Sequence, residues 1–256
     1  MRGATAARLF LLTAVTGFVL APGSFAWLLR PLAPEGMPII YDRAPFWQLT
    51  LWHLGLVAAA ILPSALLAIG MAVLVTRPAG AEFLPLSRAL VSFGQTFPPV
   101  AVLALAVPVM GFGPWPTLVA LFLYGLLPIF ENALAGLSGL PVPVTLAADG
   151  MGMSPRQKLW QIEMPLALPL IAEGIRISSV IAISTAAIGS TVAARSLGEV
   201  IIAGLNAGNL AFVVQGGMLT AALAVLVYEG LGLVANTLGS TGRRRKGRRA
   251  EDSPVR

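Results

Sequence analysis

The chain contains no cysteine and a single histidine, His53. Without cysteine, disulfides and thiolate metal sites are excluded. One histidine offers no cluster to hold a metal. Charge is also scarce: 11% of the 256 residues are Asp, Glu, Lys or Arg, against about 25% in soluble domains. Lysine occurs only at Lys158 and Lys246, and neither follows the glycine pattern of a phosphate-binding loop. Nucleotide binding by that route is excluded. No nucleophile motif, His-Glu-x-x-His helix or Asp-rich calcium loop is present. The expectation is a non-enzyme without a cofactor. Aromatics make up 7%. Trp47, Trp52, Trp115 and Trp160 lie near the ends of apolar runs, so no aromatic cage for a cationic ligand is evident.

What the chain has in abundance is apolar length. It is 57% hydrophobic, with a mean hydropathy of +0.84. A spanning helix needs roughly 20 mostly apolar residues. The runs 9–29, 47–75, 89–111, 116–137, 170–194 and 211–238 meet that need. The expected fold is an all-α, polytopic membrane bundle of about six helices. The second and last runs are long enough to need tilt. The first has two readings. Arg2, Arg8, an apolar stretch and Pro22-Gly23-Ser24-Phe25-Ala26 are compatible with a cleaved leader. The run resumes at Trp27, Leu28 and Leu29, which favours an uncleaved span.

Charge sets the expected direction. With the N-terminus in the cytoplasm, Arg2, Arg8, Arg77, Arg88, Arg156, Lys158 and the C-terminal basic run all lie inside. Outside lie Arg30, Arg43 and Arg195, accompanied by the acids Glu35, Asp42 and Glu199. Both termini are then cytoplasmic. The net charge of +6 is concentrated in the tail, at Arg243, Arg244, Arg245, Lys246, Arg248 and Arg249. A basic run beside a span is read as a topology signal touching anionic lipid, not as a nucleic-acid site. No internal repeat aligns the halves. The parse is one membrane domain, 1–239, and an unstructured cytoplasmic tail, 240–256.

Polar chemistry is concentrated in a few places. The segment 145–165 combines Ala147, Ala148, Asp149, Gly150 and Gly152 with Ser154, Pro155, Ile162 and Pro165. Alanines permit close approach, and the glycines permit a sharp turn. Ser154 reads as an N-cap and Pro155 as a first-turn residue, opening a short helix that Pro165 interrupts. Such a segment either docks on a partner or lies on the membrane surface.

Gln95, Thr96, Pro98 and Pro99 mark a break at the start of the third span, either a path-lining element or a packing kink. Ser184, Thr185, Gly189, Ser190 and Thr191 put small polar residues along the fifth span, for packing or for a path. Residues 197–204 read as a short amphipathic outer segment, part of a gate or a dock. Glu131, Glu173, Arg176 and Glu229 are ionisable residues near span ends. Glu173 and Arg176 share a helix face. Structural ion pairing is expected for this group.

The segment 145–165 resembles the cytoplasmic loop of binding-protein-dependent ABC importer permeases, E-A-A-x-x-x-G-x9-I-x-L-P. Ala147, Ala148, Gly152, Ile162 and Pro165 match, while Leu146 replaces the glutamate and Met164 the leucine. Residues 76–83, 94–113, 120–128 and 150–154 are similar to the osmoprotectant group, which imports glycine betaine, choline and carnitine. The resemblance implies the type I importer permease fold and alternating access. It implies a separate ATPase docked on 145–165, a second permease subunit, identical or paralogous, and an extracytoplasmic substrate-binding protein. It also implies a bacterial inner-membrane location. In the family the glutamate helps to hold the loop against the ATPase, so Leu146 is the notable departure. Two alternatives are another small solute, such as an amino acid, phosphonate or sulfonate, and a non-transporting scaffold of the same fold.

Overall fold

A computed structural model describes residues 2–251, with side chains over 5–235. The expected unstructured tail, 240–256, lies outside the fully described residues. The helices, in order, are α1 (Arg2–Leu20), α2 (Phe46–Val75), α3 (Leu84–Thr96), α4 (Pro99–Met110) and α5 (Pro114–Ser138). They continue with α6 (Val142–Gly150), α7 (Pro155–Ala186), α8 (Gly198–Ala207) and α9 (Leu210–Glu251). Proline sits in the first turn of α3, α4, α5, α6 and α7, where its missing N–H leaves no helical bond unmade.

Among the described residues, α2, α5, α7 and the 210–235 part of α9 are each long and apolar enough to cross a membrane. Two bent pairs bring the number of spans to as many as six. The first pair corrects the expected straight span 9–29. The chain turns by 113° between Thr5–Leu20 and Pro22–Leu32. Pro22 disfavours helical geometry at Ala21, which takes φ −137° and ψ 62°. The second pair corrects the third span: α3 begins at Leu84, so the break falls between two half-helices bent by 91° rather than at a helix start.

The fifth span also differs. It runs from Pro155 to Ala186, not 170–194. Its end gives way to a 3₁₀ turn over Ile188–Val192 and to Ala193 at φ +65°. Pro165 does not interrupt it. A π-turn over Leu159–Glu163, closed by Met164 N–H on Leu159 O, lies just before the proline. The wider turn offers room for a ring that cannot donate.

The bundle is centred on α2, α5 and α7. Ala68, Ala72, Phe130, Ala133, Ala167 and Ile171 are buried between them. Small residues bring the backbones close, as membrane helices require. A Cβ on Gly174 would meet Pro128 O at 2.8 Å, and one on Gly136 would meet Ala167 Cβ at 3.0 Å. Ser178 Oγ donates to Gly125 O at 2.9 Å, and Ser64 Oγ lies 2.9 Å from Phe122 O. His53 bolts three elements together: its Nε2 lies 3.0 Å from Ile183 O, and Leu197 N–H points at Nδ1 over 3.4 Å. At the same end, Asn209, just before α9, and Gln215 of α9 pin the 38–41 segment. Asn209 Nδ2 donates to Pro38 O, Gln215 Nε2 donates to Ile39 O, and Tyr41 N–H donates to Gln215 Oε1.

Candidate functional site

The segment 142–165 forms a compact knuckle at one end of the bundle. Helix α6 ends at Gly150, and the chain reverses through Gly152 at φ +71°. Gly152 N–H donates to Asp149 O at 2.9 Å and Met153 N–H to Ala148 O at 3.2 Å. Gly150 is the last helical residue and needs no positive φ. Ser154 caps α7 as expected, but it also forms a reciprocal box that had not been expected. Gln157 N–H donates to Ser154 Oγ at 3.3 Å, and Ser154 N–H to Gln157 Oε1 at 2.9 Å. The Ser-x-x-Gln spacing was the available signal. Lys158 Nζ then reaches back to both Asp149 oxygens at 2.8 Å. The turn is thus held by backbone, cap and charge together.

Ala148 is buried and Ala147 exposed; Ile162 is half-buried and Pro165 exposed. Around this polar frame, Leu146 is 63%, Met151 69% and Trp160 62% exposed. At the far end of the knuckle, Glu163 is buried in the π-turn. Its Oε2 accepts from Arg77 Nη2, 2.5 Å away, just beyond the end of α2. Arg77 Nη2 lies 3.3 Å from Thr76 Oγ1, and the buried Arg77 Nε has no partner. Sequence reasoning missed this pair. Its members stand 86 positions apart, and no spacing rule connects them.

The broken helix forms a second polar feature. Pro128 has no N–H, so Tyr124 O lacks its helical donor. Gln95 Nε2 supplies one at 3.2 Å. In return, Tyr124 Oη donates to Phe97 O inside the break. Thr96 Oγ1 donates to Phe93 O at 2.7 Å. Gln95, Thr96, Phe97 and Pro98 are exposed, while Pro99 opens α4 and is half-buried.

Ser190 and Thr191 lie apart from this break, in the turn after α7. That turn packs through Val192 and Ile188 against Leu103 and Val107 of α4. Ser190 Oγ reaches Ala194 O at 3.0 Å and Ser196 Oγ at 2.8 Å; Thr191 Oγ1 donates to Ile188 O at 2.7 Å. Ser190 also lines an open cavity of about 330 Å³ with Tyr41, Arg43 and Glu199. A neighbouring cavity of about 190 Å³ adds Trp52 and Arg195. Burial pushes the Glu199 carboxyl above its ordinary range, with Arg195 opposing. Burial, and then Glu199, push the Tyr41 phenol up.

The charged residues singled out from sequence form separate pairs rather than one cluster. Glu131 pairs with Arg88 at 3.0 Å, Glu173 with Arg176 at 2.5 Å, and Glu229 with Arg8 at 2.5 Å. Arg176 also clamps α9. Its Nε donates to Tyr228 O at 3.0 Å, its Cζ sits 3.8 Å from the Tyr228 ring centroid, and Tyr228 Oη donates to Glu173.

Comparison with known proteins places this geometry in context. A family model described as "Binding-protein-dependent transport system inner membrane component" matches residues 83–238. The chain is 38% identical over 175 residues to the osmoprotectant import permease protein OsmY of Salmonella typhimurium, covering 68% of this chain and 74% of that protein. It is 37% identical over 207 residues to the carnitine transport permease protein OpuCD of Listeria monocytogenes, covering 80% and 90%. It is 32% identical over 187 residues to the choline transport system permease protein OpuBB of Bacillus subtilis, covering 71% and 86%. The fold is similar to a chain in inward-facing conformations of the MetNI methionine ABC transporter. There the TM-score is 0.67 at 20% identity, over 77% of this chain and 99% of that one.

Proposed function

The chain belongs to the family of binding-protein-dependent transport system inner membrane components, and from that premise we propose that it imports a small osmoprotectant of the betaine, carnitine or choline class. The chain is a permease subunit, and ATP hydrolysis is assigned to a partner chain. A separate ATPase supplies the energy by docking on 145–165. A second permease subunit completes the pore, and an extracytoplasmic binding protein delivers the solute. The membrane domain spans 1–239 and the basic tail, 240–256, meets anionic lipid. Both termini face the cytoplasm, as the arginine distribution favours.

The observation that carries the docking assignment is the knuckle itself. A segment tied by the Lys158–Asp149 pair and the Ser154–Gln157 box presents exposed Leu146, Met151 and Trp160. Exposed apolar side chains on a polar turn are what a partner groove covers. Trp160 supplies the anchor, and Leu146 substitutes apolar contact for the charge that the family pattern carries there. Alternating access follows. Closure of the ATPase dimer moves the knuckle, α7 continues it into the bundle without a break in the chain of helical turns, and the pore changes its open side. The path includes Gln95, Thr96, Pro98 and Pro99, with Ser190 and Thr191 nearer its outer mouth.

The assignment is tested by reconstituting the chain with its ATPase and binding protein in proteoliposomes. Labelled glycine betaine, carnitine and choline are offered singly, with methionine as the control solute. ATP-dependent uptake of at least one of the three, lost with Trp160→Asp, is expected. Failure of an ATPase to copurify, or uptake of methionine alone, would overturn it.

A further inference from the structure

The knuckle needs a mechanical link to helices other than the one it continues into, and one contact has the properties of such a link. Of the five acids in side-chain ion pairs among the described residues, Glu163 is the most withdrawn from solvent. Its side chain is 7% exposed, against 31% to 56% for Glu173, Glu229, Glu131 and Asp149. Its partner Arg77 stands at the end of α2, which packs along α5 through the centre of the bundle. Glu163 is the last residue of the π-turn Leu159–Glu163, where the docking helix passes into the long apolar part of α7. Single π-turns inside α-helices are frequent at functional sites.

The pairing is incomplete. A guanidinium presents Nε and Nη2 as a fork that matches both oxygens of a carboxylate. Here only one prong is used: Nη2 meets Oε2 at 2.5 Å, while Nε is buried and unpartnered. A buried donor without an acceptor is costly and calls for an explanation. Nε remains available to the second carboxylate oxygen.

Resting on the reading of 145–165 as the ATPase dock, we propose that Arg77 and Glu163 are positioning residues that carry movement of the dock into α2. The pair is one-pronged in this conformation and two-pronged in the alternate one. The half-used fork favours departure from the present state, and the second prong holds the state that ATPase closure creates. Neither residue touches the solute; they act through the helices they join.

The test uses the complete transporter, with its ATPase and binding protein, in proteoliposomes. The readout is ATP hydrolysed per solute imported. Arg77→Lys keeps the charge but loses the fork. Its expected effect is normal copurification with the ATPase and a rise in that ratio of at least about fivefold, the lower end of typical site-to-site coupling. Glu163→Gln, which keeps the shape, is expected to behave alike and carries the comparison if Arg77→Lys does not fold. The swap Arg77→Glu with Glu163→Arg is expected to recover part of the ratio. A folded, assembled Arg77→Lys or Glu163→Gln transporter with the wild-type ratio overturns the proposal. Failure of the ATPase to bind the unaltered chain overturns the docking assignment instead, so the two outcomes are distinct.

Discussion

Gly150 and Gly152 stand two residues apart and do different work. A Cβ at either position would meet nothing within 4 Å, so sterics with neighbours do not separate them. Backbone geometry does. Gly152 sits at φ +71°, where an L side chain costs roughly 1–2 kcal/mol. Gly150 ends a helix in an ordinary conformation, where glycine is the weaker choice by about 0.5–1 kcal/mol. Gly152→Ala is therefore expected to lower thermal stability in detergent and to weaken ATPase copurification. Gly150→Ala should leave both unchanged or slightly improved. Equal effects would remove the turn from the account. Glu199 gives a second residue-scale outcome, in pH. Burial raises its carboxyl above the reference of 4.5. The folded chain then holds that proton more tightly than the unfolded one, so stability declines as pH rises from 4.5 through the folded value. Glu199→Gln is expected to raise the melting temperature at neutral pH, with the advantage vanishing below pH 4.5. An advantage that persists there would contradict the burial argument.

Helices and their breaks were unequally legible. Where a span is a plain apolar run the sequence reading came close, as in 47–75 for Phe46–Val75 and 116–137 for Pro114–Ser138. It faltered where polar residues belong to a helix: Arg88 lies inside α3, where it meets Glu131 of α5. The proline pair at Pro98 and Pro99 announced a break, but not that α5 would hold it. That clasp depends on a carbonyl freed elsewhere, by Pro128. The Arg77–Glu163 link was illegible for the same reason, since pairing across helices follows from packing and not from period. The clasp can be tested as a thermodynamic cycle. Gln95→Leu removes that exposed hydrogen bond to Tyr124 O and is expected to cost about 0.5–1.5 kcal/mol. Pro128→Ala returns a backbone N–H to that carbonyl. In the Pro128→Ala background, Gln95→Leu should cost less, by about 0.5 kcal/mol or more. Identical costs in both backgrounds would mean that the two residues do not share Tyr124 O.

At the scale of the whole molecule, the four long spans bury only 39% to 44% of their most apolar windows within the chain. The remaining surface meets lipid, water or another subunit, and two exposed places call for opposite surroundings. Leu66 on α2 is apolar and 78% exposed, which suits lipid. The break from Gln95 to Pro98 exposes extended backbone and two polar side chains. Within a bilayer, non-helical backbone is tolerated only when protein covers it or when it lines a water-filled cavity. The absence of cysteine turns this into a clean measurement, because one introduced thiol is the only thiol in the chain. In the assembled transporter, Thr96→Cys is expected to react with a charged, membrane-impermeant maleimide, and Leu66→Cys to stay unlabelled. Labelling of Thr96→Cys should change between nucleotide-free and ATP-bound states, since alternating access moves water from one side of the break to the other. Silence at both positions in both states would put the break against protein instead of water. Gln95, Thr96, Pro98 and Pro99 would then belong to the interface with the second subunit, and the path would have to run along another face of α5.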